Sequence, residues 1–143
     1  MLADLERIHE NLLSCLSELE LLHQEAKPDR SRLADVRWRL SRASAARTRF
    51  IDEKVYPYLL QRVSPSDAHK LKELRTQNLA LRTASTAHVG RWTIEQVFDD
   101  WLGYRRASSA MAASMRNRVA AEKEILYPLL DAAENDLSRI GGR

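Results

Sequence analysis

From Val97 to Leu129 the chain keeps one rhythm: Val97, Trp101, Tyr104, Ser108, Met111, Met115, Arg118, Glu122, Ile125 and Leu129 follow one another at alternating steps of four and three. That spacing puts all ten side chains on one face of an α-helix, and such a face must be buried against other helices. Steps of three and four also link Leu5, Ile8, Leu12, Leu16, Leu19 and Leu22, which predicts a first helix over about Ala3–Ala26. Lys27-Pro28-Asp29 ends it, because proline disfavours helical geometry in the residue before it. A second helix is predicted over Arg30–Arg62, with Leu33, Val36, Leu40, Ala43 and Phe50 on its apolar side and Pro57 loosening its last turn. Ser64 or Ser66 can cap a third helix, which carries Leu71, Leu74, Leu81 and His88 and stops near Gly90. Thr93 and Gln96 have the spacing of a capping box and open the fourth helical region, which should reach about Ala133 with a kink or break near Gly103-Tyr104. The tail from Ile140 to Arg143 is expected to fray.

Only four glycines and four prolines occur in 143 residues, and they fall between these segments or near their ends. No stretch alternates as a strand does, and no Asn-Gly or Asp-Gly hairpin signal is present. Four long amphipathic helices with short connections predict an all-α, up-down-up-down antiparallel four-helix bundle, one domain over residues 1–143. Hydrophobic residues at 44 % and charged residues at 30 % suit a globular chain rather than a disordered one. With no apolar run long enough to span a bilayer and no leader pattern, a cytoplasmic protein without membrane contact is expected. Cys15, the lone cysteine, excludes an intrachain disulfide and reads as a buried structural thiol.

On a helix face predicted to be buried, polar residues carry the information. The first helix places His9, Cys15 and His23 near its apolar stripe, the second Arg47, and the third Asn78, Ser85 and His88. The fourth contributes Arg118 and Glu122, four apart and able to pair along the helix. An unpaired charge would be costly there, so a salt bridge between Arg118 and Glu122, helped from across the bundle by Arg47 or Arg49, is the first expectation. A pocket for a small anion or carboxylate is the second, since guanidinium groups recognise such ligands in a bidentate manner. Metal binding is the third.

The segments Arg47–Leu60, RTRFIDEKVYPYLL, and Arg116–Leu130, RNRVAAEKEILYPLL, each end a helix in a Tyr-Pro signature preceded by inward-facing charge. With His9 early in the first helix and Trp101 and Tyr104 leading into the last, the chain resembles the hemerythrin-like (HHE cation-binding) domain family over nearly its whole length. That resemblance implies a bundle whose core holds a non-haem diiron centre, with the second and fourth helices each giving a histidine followed by an acid. Here the pattern departs. Aligned on Glu53 and Glu122, the histidine places are Arg49 and Arg118; aligned on Pro57 and Pro128, Arg47 matches Arg118 and Ile51 matches Glu122. Either way an arginine, which offers a metal no lone pair, stands where a ligand would be. The resemblance then implies a bundle that has lost its diiron site, with no cofactor expected. Iron at His9, His88 and Glu122 is the alternative.

The function expected is a non-enzymatic binding, regulatory or protein-interaction module with a polar cluster of His9, Arg47, Arg49, Glu53, His88, Arg118 and Glu122. A metal-dependent iron, oxygen or nitric-oxide binding protein with an unusual ligand set is the alternative. A protein partner, a second copy of the chain, or a small anion in the core are the expected partners. The net charge of +3 and the arginines from Arg30 to Arg49 would allow phosphate contacts, but aromatic interleaving is thin and no nucleic-acid motif is present, so a solvated helix face is expected instead. His69 is expected on the surface. Tyr56 and Tyr127 are expected to be packing residues, and Trp38, Trp92 and Trp101 packing anchors, with Trp38 a partner surface if exposed. No phosphate loop, catalytic triad or zinc-finger spacing is found.

Overall fold

The computed structural model describes residues 1–141. Among them every regular element is helical and no strand is present. In chain order these are α1 (Leu2–His23), α2 (Arg30–Phe50), a π-helical turn (Ile51–Val55), α3 (Tyr56–Leu60), α4 (Pro65–Arg91), α5 (Ile94–Asp99) and α6 (Trp101–Gly141). α1 lies against α2 and α6, and α4 lies against α6, whereas α2 and α4 scarcely meet. α6 runs to Gly141, and the end of the tail expected to fray, Gly142 and Arg143, lies outside the described residues.

Local chemistry sets the helix ends. Asp29 accepts the Arg32 amide at 3.0 Å and caps α2, and Ser64, not Ser66, accepts the Asp67 amide at 3.2 Å and caps α4. Thr93 caps α5 by accepting the Gln96 amide at 3.3 Å, but the Gln96 side chain accepts from Arg91 and leaves the capping box half made. α1 stops at His23, three residues short of the predicted end.

Two helices depart further from the sequence reading. The predicted Arg30–Arg62 helix is interrupted one turn before Pro57. Proline has no N–H for the Glu53 carbonyl, and the preceding turn widens, with the Tyr56 amide donating to the Ile51 carbonyl. The break before α6 falls at Asp100 rather than at Gly103-Tyr104, because the Asp100 carboxylate accepts the Gly103 amide at 2.9 Å and starts a new helix. A Cβ on Gly103 would stand 2.2 Å from an Asp100 carboxylate oxygen, so a larger residue there obliges that side chain to move.

The core is in two parts. One apolar cluster is built around Leu12, Leu16, Leu19, Leu33, Val36 and Tyr104, and the other around Leu5, Ile51, Tyr56, Leu59, Leu71 and Leu126. Between them α1 supplies His9, α2 Arg47, α4 Asn78 and α6 Arg118 and Glu122, all buried. The site is this polar layer.

Candidate functional site

Each member of the layer replaces an apolar residue in its helix's inward stripe. His9 takes the place between Leu5 and Leu12 that the sequence reading gave to Ile8, and Ile8 is only half-buried. Arg47 lies one turn beyond Ala43, and Asn78 one turn beyond Leu74. Glu122 lies between Val119 and Leu126 and is fully buried.

Glu122 is the centre. Arg47 donates to it through both Nε and Nη2, to Oε1 and Oε2, each at 2.9 Å. His9 Nε2 lies 2.9 Å from Oε1, and Asn78 Nδ2 donates to Oε2 at 3.1 Å. A carboxylate has about four acceptor sites, and these four bonds fill them. Burial alone pushes the Glu122 carboxyl upward, but the bonds from His9 and Arg47 and the Arg47 charge outweigh it and hold the pKa below its ordinary value. Because the ionised carboxylate only accepts, Nε2 of His9 must be the donor. Its Nδ1 meets the Tyr127 hydroxyl at 2.6 Å. Burial, then the charges of Glu6 and Glu122, push that phenol up to about 12, so it stays protonated.

Arg118 stands apart. The expected i,i+4 salt bridge with Glu122 is not formed, because Arg47 and its neighbours already occupy every carboxylate position. Among the described residues no carboxylate comes within ion-pair distance of Arg118. Its Nη2 donates only to the Asn78 carbonyl at 3.3 Å, and its buried Nε has no partner. Burial, and then repulsion by Arg47, lower its pKa to about 10.

The other expected members lie elsewhere. Arg49 and Glu53 are exposed, so the alignment on the two prolines describes the inward residues: Arg47 with Arg118, Ile51 with Glu122. His88 is half-buried and stacks on Tyr104 with ring centres 6.1 Å apart. Tyr104 and Glu122 are eighteen residues apart on α6, about 27 Å at 1.5 Å per residue, so His9, His88 and Glu122 do not assemble. Tyr56 and Tyr127, expected only to pack, and Asn78, expected on the inward face but left out of the cluster, are the members that sequence reasoning missed. The Tyr127 hydroxyl meets His9, and Tyr56 accepts a weak bond from Asn78 at 3.4 Å. Asn78 follows Leu71 and Leu74 at helical spacing, and that stripe was the available signal.

A diiron centre does not fit these residues. The layer holds one histidine, both of whose ring nitrogens are engaged, and one carboxylate, both of whose oxygens are taken by Arg47. A permanently charged guanidinium in contact with that carboxylate would repel a divalent cation. Among the described residues no cluster of three or more histidine, cysteine, aspartate or glutamate side chains is placed to hold a metal.

The arginines of α2 are largely occupied within the chain. Arg32 pairs with Glu25 at 2.7 Å, Arg39 with Asp35 and Glu18, and Arg37 donates to the Trp92 carbonyl. Cys15 is buried, and desolvation raises its pKa. His69 is exposed beside Glu73. Trp92 is buried and Trp101 half-buried against Tyr104, while Trp38 is exposed with the Arg42 guanidinium over its ring.

Fold and site together define an all-helical protein with a carboxylate-centred ionic layer across its core. No family model matches the chain, and no curated protein or solved structure is significantly similar to it.

Proposed function

We propose that the chain is a hemerythrin-like, up-down-up-down four-helix bundle working as a non-enzymatic binding module for an anion. The ionic layer takes the place of a metal centre in this reading. Arg47, as a fixed cation, balances the carboxylate that a metal would otherwise balance. One observation carries the proposal: the layer buries two guanidinium groups against one carboxylate, and that carboxylate is saturated. Arg118 is a buried cation short of one anion, in a form suited to bidentate recognition of a carboxylate or phosphate.

Acetate, titrated at fixed ionic strength set with chloride, tests this. It should raise the melting temperature of the parent protein and leave that of Arg118→Met unchanged, because only a ligand of the folded state shifts the equilibrium. An equal response in both proteins would dispose of Arg118 as the site. Iron analysis after anaerobic reconstitution tests the metal reading. Near-stoichiometric iron that is lost in His9→Ala would overturn the proposal.

A further inference from the structure

Past Asn78, α4 buries nothing: Leu81, Ser85 and His88 are only half-buried, and the residues between them are exposed. The facing segments carry small side chains, Ser41, Ser44 and Ala45 on α2 and Ser85 and Thr86 on α4, which cannot fill the space between the two helices. A groove of about 1270 Å³ results, with α2 and α4 as walls and α6 as floor. It exceeds the roughly 300–1,000 Å³ of ordinary small-molecule pockets.

The floor has a direction. Tyr104, Met111 and Met115 form an apolar track, and Arg118 closes it. From Tyr104 to Met115 is about 16 Å at 1.5 Å per residue. Trp38 on α2 and Val89 on α4, both exposed, extend the apolar surface up the walls. The floor selects the shape of the occupant: an extended hydrocarbon chain can lie along Tyr104, Met111 and Met115 and bring one charged end to Arg118. Methionines suit such a ligand, because their flexible thioethers adapt to a chain without fixed shape.

We infer that the groove binds a long-chain carboxylate, its hydrocarbon tail along Tyr104, Met111 and Met115 and its carboxylate on the guanidinium of Arg118. This rests on the reading of Arg118 as an anion site and adds the apolar track to it. Charge complementarity supports it: Arg37, over the Tyr104 ring, donates to the Trp92 carbonyl, whereas Arg118 lines the groove with a buried Nε that has no partner. Asp52, on the wall near Arg118, is held by Arg82 at 2.8 Å.

The test is calorimetric titration of the parent protein, Arg118→Met and Ala45→Trp with dodecanoate below its micelle concentration, with dodecanol, dodecyl phosphate and acetate as comparisons. Ala45 is an exposed position on the groove wall, and the acetate response, which needs Arg118 alone, reports whether a tryptophan there leaves the guanidinium undisturbed. Dodecanoate should bind the parent at one site, about tenfold or more tighter than dodecanol or acetate, since tail and head both contribute. Arg118→Met should lose about tenfold for dodecanoate and nothing for dodecanol. Ala45→Trp should lose dodecanoate binding and keep the response to acetate. Equal affinities for dodecanoate and dodecanol, an Arg118→Met variant that binds dodecanoate as the parent does, or tighter binding of dodecyl phosphate than of dodecanoate would each overturn the carboxylate assignment. If acetate acts through Arg118 while dodecanoate adds nothing, the groove proposal fails and the anion site stands. If neither acts, both fail.

Discussion

Glu122 accepts four hydrogen bonds from three helices and has no exposed surface, so its removal would strand more than one group. Glu122→Ala leaves the Arg47 guanidinium buried without an anion and should cost roughly 3–5 kcal/mol in denaturant unfolding. The double variant Arg47→Met/Glu122→Leu should be less destabilised than Glu122→Leu alone, because an apolar pair of similar volume leaves no uncompensated charge. Additive losses would show that the two side chains are not energetically coupled. Arg118 gives the opposite expectation. Its cation is buried without a carboxylate, so Arg118→Met should raise stability at neutral pH, checked by the shift of the chemical midpoint. The residue scale therefore separates a structural guanidinium from one kept at a cost.

At the scale of elements, α6 shows how a stripe read at strict steps of four and three drifts away from a real helix. Such a pattern averages 3.5 residues per turn, whereas an α-helix turns in 3.6. Over α6 the buried positions become Tyr104, Ser108, Ala112, Met115, Val119, Glu122, Leu126 and Leu130, so Met111, Ile125 and Leu129 rotate to half-buried flanks. The drift turns Met111 toward the groove and lets Arg118 and Val119 share the inner face. The start of α6 depends on the Asp100 cap, whose carboxylate occupies the place a Cβ on Gly103 would take. Gly103→Ala should displace the Asp100 carboxylate and cost on the order of 1 kcal/mol, as Asp100→Ala should, with the double variant no worse than either. A Gly103→Ala protein as stable as the parent would show that the carboxylate can move without losing the cap.

Across the whole molecule the polar layer divides the apolar core, and the two ends differ in their titrating groups. At the end nearer Tyr104, His23 and His88 have pKa values below the ordinary imidazole value: burial dominates in both, aided by the Arg105 charge at His23 and the Arg37 charge at His88. The unfolded chain binds protons that these folded rings resist, so the stability they contribute is present above about pH 6.5 and is lost as the pH falls below it. The Glu122 carboxyl, also depressed, contributes stability above about pH 4.3 that is lost on further acidification. The melting temperature should accordingly decline in two stages, from about pH 7 and again below about pH 4.5. The double variant His23→Gln/His88→Gln should flatten the first stage alone. A first stage that persists in it would place the titration elsewhere. No helix of the described chain is long and apolar enough to cross a membrane.

Periodicity, caps and the scarcity of glycine and proline determined that the chain is all-helical and roughly where its helices begin, because those effects act over three or four residues. They also marked Arg47, Arg118, Glu122 and His9 as polar residues on inward faces. Which of these would meet was decided only by the packing of α1, α2, α4 and α6. The i,i+4 pair of Arg118 with Glu122 was available along the helix, but Arg47 offers two parallel bonds from the facing helix and Glu122 has no capacity left. Arg47 continues the stripe of Val36, Leu40 and Ala43 and Arg49 does not, whereas the widened turn at Ile51–Val55, which no local pattern announced, sets which residues face inward beyond α2 and leaves Glu53 in solvent. The groove is likewise a property of the assembled helices: small residues on α2 and on α4, far apart in sequence, become an opening only once those two helices flank α6.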